Sequence, residues 1–312
     1  MSTVESPSAD RAYALSGMTT AEPSTTVRQG FRGLLARMPW LTRICASWVV
    51  AIVAAAIFAD FIPGLPDPNY QGFLFGYDKI GEGPSSRHWL GTDNVSRDIL
   101  ARVIYGARVS LIFAVSAVAS GMLFGGLIGS AAGFMRGKVD GAIGFGIDVM
   151  LAMPGLVIYI FFITMIGKFG LVWMCLVVAV LVIAPFARVA RANALAISNR
   201  EFVTAARSIG TNKARILFRE VIPNVYPTLF AYALVSMGVL IILESTLSFL
   251  GIGMPIPTSS WGNMIAESRR DLAINVWPCV WPAVTLILTV FSINIVADWI
   301  RKDMAARTSA LS

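Results

Sequence analysis

Six long apolar segments with almost no charged side chains constrain this chain more than any other feature. Each is 19 to 26 residues long, and about 20 consecutive apolar residues let a helix cross a hydrocarbon core roughly 30 Å thick. The sequence therefore predicts an all-α, polytopic membrane protein with six transmembrane helices. The predicted spans are Ile44–Ile62, Val109–Phe134, Ile147–Ile166, Phe169–Ala187, Val225–Leu243 and Ala273–Ala297.

The overall composition agrees with this prediction. The chain is 56% hydrophobic and only 14% charged, with a mean hydropathy of +0.71, which excludes an ordinary soluble domain. Carboxylates lie within or at the edge of four spans, at Asp60, Asp148, Glu244 and Asp298. The boundaries of the predicted spans are therefore approximate.

The distribution of Lys and Arg predicts the orientation in the membrane. With six crossings both termini share one side, and that side carries 17 of the 25 Lys and Arg residues, seven of them within Arg188–Arg219. Because cytoplasmic loops carry the excess of basic residues, we expect cytoplasmic termini and external loops at 63–102 and 251–272. This orientation and the attraction of anionic membrane lipids explain the net charge of +7 without a nucleic-acid partner.

The N-terminal segment differs from the rest of the chain. Residues 1–40 are rich in Ser, Thr, Ala and Pro and lack an apolar period, which predicts a disordered cytoplasmic tail ahead of a transmembrane domain at 41–312. No apolar stretch follows a basic start there, so no cleaved signal peptide is expected. The cysteines lie in apolar segments at unrelated spacings, which favours buried, unpaired thiols, at Cys45, Cys175 and Cys279.

The cytoplasmic segment 188–223 carries a pattern of small residues. Ala205 and Ala206 would let the backbone of a partner approach closely, and Gly210 can end a short helix with φ > 0. Pro223 can open the next helix, where its missing N–H has no consequence. The spacing resembles the coupling loop with which the permease subunit of a bacterial ABC importer docks onto its ATPase.

This resemblance includes Ile222 and departs from the family at two positions. Thr204 stands where the family usually has glutamate, and Glu220 stands where it usually has an aliphatic residue. The resemblance implies an ATPase-docking set made of Thr204, Ala205, Ala206, Arg207, Gly210 and Pro223. The alternative is an ordinary basic linker beside the membrane.

The external segments carry two further motifs. Asp93 is expected to accept hydrogen bonds from backbone N–H groups at a helix start, and Arg97 and Asp98 are expected to pair locally. A second motif follows Glu244 and places Trp261 at the membrane interface. Both resemble the dipeptide/oligopeptide C-type permeases, in Leu90-Gly91-Thr92-Asp93, Arg97-Asp98, Tyr105-Gly106-Ala107-Arg108 and Leu247-Ser248-Phe249-Leu250-Gly251, with departures at Ser96, Ile256 and Ser259.

A stripe of glycines marks the second span. Gly121, Gly125, Gly129 and Gly133 repeat every four residues, and Gly137 and Gly141 continue the series. Four residues advance about 400° on a helix, so the glycines form a smooth groove that another helix can approach closely. That helix belongs either to this chain or to a second permease subunit, and the spacing does not distinguish the two.

Two carboxylates are candidates for the translocation path. Asp148 lies one turn into the third span, and Glu244 closes the fifth. A carboxylate in lipid is unfavourable, so each should face protein or a water-filled cavity. Each carboxylate is either a gate residue of the path or a structural group, which forms an ion pair, caps a helix or accepts a hydrogen bond. Pro154 is expected to kink the third span.

Several kinds of chemistry are not expected in this chain. No Gly-x-x-x-x-Gly-Lys-Ser/Thr loop is present, so no ATP site is predicted. The single histidine, His88, cannot supply a metal cluster, and no Gly-x-Ser-x-Gly elbow is present. We therefore expect no catalytic residues, no metal and no cofactor in this chain.

Together the motifs cover roughly residues 85–300 and identify a resemblance to the type I ABC importer permease fold. The resemblance implies import of dipeptides or oligopeptides across a bacterial inner membrane. It also implies a second homologous permease, two ATPase subunits that bind ATP and Mg²⁺, and an extracytoplasmic binding protein. Nickel or glutathione is an alternative cargo within the same family. An ion-coupled secondary transporter using Asp148, Glu244 or Asp298 is an alternative class, although the two halves show no repeat.

Overall fold

The computed structural model describes residues 38–75, 80–167 and 170–309, so the expected tail at 1–40 lies outside the described residues except for its last three. The described residues are helical and contain no β-strand, only an isolated bridge between Thr92 and Asp98. The helices are α1 (Trp40–Phe58), α2 (Ile99–Ser120), α3 (Gly126–Met135), α4 (Gly137–Ala152), α5 (Gly155–Ile166), α6 (Leu171–Ile197), α7 (Glu201–Ser208), α8 (Lys213–Ile216), α9 (Ile222–Phe249), α10 (Trp261–Ser268) and α11 (Trp277–Ser309).

Five of the six predicted spans are confirmed as long apolar helices, at Trp40–Phe61, Ile99–Met135, Leu171–Ile197, Lys213–Phe249 and Trp277–Met304. The third span is not one straight helix over 147–166. It is divided into α4 and α5, whose axes differ by 85°. Pro154 causes the break, because a proline disfavours the helical conformation in the preceding residue and Met153 is accordingly extended, with ψ of 137°.

The helices reach beyond the hydropathy limits, so part of each predicted loop is helical. Helix α2 begins at Ile99 within the expected loop 63–102, and α10 lies inside the expected loop 251–272. Within 188–223, α6 continues to Ile197, α7 follows, and the helical run that leads into α9 begins at Lys213. Charged residues ended the predicted spans early, although a helix continues wherever such side chains find water or partners.

Pro223 stands in the first turn of α9 as expected, but α9 continues an earlier helical run. The helical run starts ten residues earlier, at Lys213, and a π turn at Leu217–Val221 precedes α9. Proline cannot donate to the carbonyl one turn back, and a wider turn accommodates such a defect. The Asn224 side-chain amide donates to the Glu220 carbonyl at 2.6 Å, which satisfies one acceptor there.

The glycine stripe packs inside this chain. A π turn at Gly121–Gly125 joins α2 to α3, and the stripe lies against α6. A Cβ at Gly125 would lie 2.6 Å from the Ile183 carbonyl oxygen, and a Cβ at Gly129 would clash with that of Ala187. The stripe can therefore approach α6 this closely only because glycine has no side chain. The close packing extends to Gly133, where a Cβ would clash with the Arg191 carbonyl oxygen, and it stops before Gly137 and Gly141, where a Cβ would meet nothing within 4 Å.

The short helix α10 folds back into the protein on the predicted external side. Trp261 is fully buried and its Nε1 donates to the Val103 carbonyl at 3.0 Å, so its expected position at the membrane interface is wrong. The Ser260 hydroxyl caps α10 by accepting from the Asn263 N–H at 3.2 Å. An apolar core accommodates the indole because its one polar group has a partner.

Candidate docking segment and path residues

Helix α7 carries most of the predicted docking set and lies against the protein with one face. Val203 is fully buried, and Ala206 is half-buried and packs against the main apolar cluster. Thr204 and Ala205 are exposed. The helix therefore presents Ala205 outward and uses Ala206 for its own packing, which the alanine pair in the sequence did not reveal.

Gly210 ends this helix in the expected way. Its φ is +77°, its N–H donates to the Arg207 carbonyl at 3.0 Å, and the Thr211 N–H donates to the Ala206 carbonyl at 3.1 Å. Left-handed glycine favours this kind of helix end, because it has no Cβ. The Asn212 side chain then caps α8 by accepting from the Ala214 N–H at 2.9 Å.

The two remaining docking candidates have different surroundings. The guanidinium of Arg207 lies over the Phe134 ring, with Cζ 5.2 Å from the ring centroid, and Pro223 is exposed on α9. Two residues outside the predicted set share the outward side of α7 with Ala205. Phe202 is 39% exposed and Ile209 is 81% exposed. The signal in the sequence was their spacing of three and four residues around Ala205.

Glu244 lies in the protein interior, surrounded by hydroxyl groups. Its carboxylate is fully buried and accepts hydrogen bonds from Ser110 at 2.6 Å, from Ser248 at 2.8 Å and from Ser245 at 3.4 Å. Ser110 belongs to α2, whereas the other two serines share α9 with Glu244. The carboxylate therefore connects two spans, and a buried carboxylate needs such donors.

Asp148 occupies a different environment. It accepts from Arg188 Nη2 at 2.6 Å, and the two side chains are 63% and 59% exposed. One turn along α6, Arg191 makes two hydrogen bonds to Asp140, at 2.6 and 2.9 Å. These pairs tie α4 to α6. The two path candidates therefore differ in environment, since Asp148 is exposed and paired with Arg188, whereas Glu244 is buried among hydroxyl groups.

A buried ion cluster at the start of α2 was missed by the sequence analysis. Asp93 accepts from Arg97 Nε and from Arg102 Nη1, both at 2.7 Å. Glu267 of α10 accepts from Arg97 Nη2 at 2.5 Å and from Arg102 Nη1 at 2.9 Å. All four residues line a cavity of about 820 Å³.

The local pair expected between Arg97 and Asp98 is therefore wrong. Asp98 instead caps α2, accepting from the Ala101 N–H at 2.7 Å, and its other oxygen lies 2.8 Å from His88 Nδ1. Asp93 does accept from backbone N–H groups as expected, from Val95 at 3.0 Å and from Arg97 at 2.9 Å. Glu267 lies 165 residues beyond Arg102, so no local pattern could pair them.

Residues 99–309 match the family model described as the binding-protein-dependent transport system inner membrane component. The chain belongs to this family. The match runs from the first residue of α2 to the last residue of α11 and so includes the docking segment and both path candidates. The family's members are ABC importer permeases, which confirms the resemblance seen in the motifs.

Curated relatives of this permease are similar over most of their length. The glutathione transport system permease protein of Pectobacterium atrosepticum is 35% identical over 254 residues, or 81% of this chain and 83% of the relative. The protein of the same name from Escherichia coli O6:K15:H31 is 36% identical over 265 residues, or 85% and 86% of the two chains.

Solved structures share the fold of the permease. Two inward-facing crystal forms of the MetNI methionine ABC transporter match with TM-scores of 0.56 and 0.57, each at 16% identity. The match covers 66% of this chain and 97% of the solved one. The chain is thus a multi-pass inner-membrane permease subunit of an ABC importer. An ion-coupled secondary transporter, the alternative class, is wrong.

Proposed function

We propose that this permease imports short peptides, with tripeptides such as glutathione among its cargo. The observation that carries the proposal is the similarity to glutathione permeases over more than four fifths of both chains. Glutathione is a tripeptide, so this similarity and the outer motifs point to the same chemical class. Nickel, the other cargo considered, has no such support.

Helix α7 is the proposed contact with the ATPase. Phe202, Ala205 and Ile209 are exposed on its outward side, in a segment whose Lys and Arg greatly outnumber its acids. An apolar groove with an acidic rim on the partner would fit this surface. Because the chain carries no phosphate-binding loop, ATP and Mg²⁺ are assigned to the ATPase subunits.

The assembly that follows has a second permease subunit, two ATPases and an extracytoplasmic binding protein. Both termini and α7 lie in the cytoplasm in this proposal, and α10 with the ion cluster lies outside. The excess of Lys and Arg on the side of the termini supports this orientation. Cargo released by the binding protein would enter between the two permeases when ATPase closure moves α7.

Uptake by the reconstituted complex tests the proposal. The complex would be assembled in proteoliposomes with the proteins encoded beside this permease, and uptake of labelled glutathione, a labelled dipeptide and nickel would be compared. Peptide uptake that needs ATP and the binding protein is expected. An ATPase partner whose phosphate-binding lysine is replaced is the control. Nickel uptake that no peptide inhibits would overturn the assignment.

A further inference from the structure

Two side-chain contacts hold the docking helix α7 against the end of α3. Arg207 places its guanidinium over the ring of Phe134, the last-but-one residue of α3, with 5.2 Å between Cζ and the ring centroid. Arg136, which follows α3, donates from Nη2 to the Asn199 side-chain oxygen at 2.5 Å. Asn199 lies in the turn that leads into α7. Both contacts therefore join the end of α3 to α7 or to the turn that precedes it.

Helix α3 is not a chain neighbour of α7. The chain enters α7 from α6 and leaves it toward α8, so these two contacts add a third, non-covalent connection. Phe134 is only 5% exposed and belongs to the same apolar cluster as Val203 of α7. Helix α3 also carries the glycines that pack on α6. A displacement of α7 can thus reach the helix pair α3 and α6 directly.

The backbone at Arg136 supports this connection. Its φ is +54° and that of Gly137 is +62°, and a non-glycine residue seldom occupies this region of conformational space. Such a residue persists where the surrounding structure holds it, and it often marks a switch region. Here it makes the turn between α3 and α4, and its side chain contacts the entry to α7.

We propose that Arg207 is a positioning residue that transmits the movement of α7 to α3, and that its guanidinium does not contact the ATPase. This role rests on the proposed function of α7. The contact with Phe134 would bias the position of α7 rather than its affinity for the partner. Arg207 itself is exposed, and an exposed cation over an aromatic ring corresponds to an equilibrium shift of about two- to five-fold.

The number of cargo molecules imported per ATP hydrolysed tests the role. It would be measured for the reconstituted full complex with Arg207→Gln, Phe134→Leu and the double variant, each with its ATPase content quantified. We expect each single variant to lower this ratio about two- to five-fold, with ATPase content unchanged. The double variant should be no worse than either single one, since both remove one interaction.

Controls separate this role from a structural defect. Arg215→Gln removes the same charge from an exposed position in the neighbouring helix α8 and should leave the ratio unchanged, whereas Arg207→Lys should restore part of it. A wild-type ratio in Arg207→Gln, additive effects in the double variant, or loss of ATPase from the Arg207→Gln complex would each overturn the role. If the wild-type permease did not assemble with ATPase subunits at all, the proposed function itself would be overturned.

Discussion

The Ser110 hydroxyl donates to Glu244 Oε2 at 2.6 Å, and this hydrogen bond joins α2 to α9 across 134 positions of sequence. With Ser248 and Ser245 it surrounds a fully buried carboxylate with hydroxyl donors. These hydroxyls satisfy the acceptor atoms that lipid or a dry core would leave unpaired. The arrangement favours the structural role for Glu244 over the gate.

Glu244→Ala should therefore destabilise the protein more than Glu244→Gln. The alanine leaves several buried hydroxyls without an acceptor, at about 1–3 kcal/mol for an unsatisfied group, whereas the glutamine keeps a carbonyl oxygen in place. Thermal unfolding of the purified chain in detergent would compare the two variants. A Glu244→Gln protein of normal stability that transports nothing would show instead that the charge serves the translocation path.

The packing of the glycine stripe predicts that two Gly→Ala substitutions of the same chemistry differ strongly in their effect on stability. Gly129→Ala places a Cβ against the Ala187 carbonyl, whereas Gly141→Ala meets nothing within 4 Å. Overpacking a close contact costs about 1–3 kcal/mol, so Gly129→Ala should lower the free energy of unfolding by that amount. Gly141→Ala in α4 should be neutral or slightly stabilising, since alanine is the better helix former. Equal melting temperatures would contradict this packing.

Ala205→Trp should remove the ATPase from the complex while leaving the permease folded. Ala205 is exposed on α7, so the indole meets only an incoming partner, whereas Ala206→Trp would also disturb the permease itself. Overpacking of about 1–3 kcal/mol weakens assembly roughly five- to a hundred-fold. Co-purification of the ATPase measures this, with Ala214→Trp on the exposed start of α8 as control. If the Ala205→Trp permease assembled normally with the ATPase, α7 would be only a linker and not the contact.

Gly210→Val should act on the same assembly through the backbone. A valine at φ of +77° is strained by about 1–3 kcal/mol, so the turn after α7 should shift or loosen. Reduced ATPase co-purification with normal amounts of permease in the membrane is expected. Full assembly of this variant would show that the partner does not depend on where α7 ends.

Breaking the buried ion cluster should destabilise the predicted external side. Arg102 is 2% exposed and bonds both Asp93 and Glu267, so Arg102→Ala removes one of the two guanidinium groups that these carboxylates share, and Arg97 is the other. Loss of the whole partner of a buried charge costs about 3–5 kcal/mol, and this is the upper limit here because Arg97 still pairs with both carboxylates. Arg108→Ala, whose partner Asp60 is exposed, should have a smaller effect on thermal unfolding. The opposite order would contradict the burial of this cluster.

Cysteine labelling in intact cells tests the proposed orientation. In a variant without Cys45, Cys175 and Cys279, a cysteine at exposed Ile80 should react with a membrane-impermeant reagent. A cysteine at exposed Ser208 of α7 should react only after the membrane is opened. The reverse pattern would invert the topology and place α7 outside the cytoplasm.

Local patterns predicted the features that depend on neighbours along the chain. The length of the apolar segments predicted the long helices. Pro154 predicted the break in the third span, and Gly210 predicted the left-handed end of α7. Local patterns failed where charges had distant partners. Arg102 lies inside the helical run Ile99–Met135, ahead of the predicted start of that span, because Asp93 and Glu267 satisfy its charge.

By itself the sequence determined that the chain crosses the membrane as helices, that α2 and α3 carry a groove for a close neighbour, and that a small-residue segment separates two spans. Hydrophobic length and helical period fix these, because both are properties of consecutive residues. Only the tertiary structure decided that α6 fills the glycine groove, that serines surround Glu244, and that Arg207 turns toward Phe134. Those choices depend on how helices distant in sequence pack, and each contact joins residues that no helical or strand period relates.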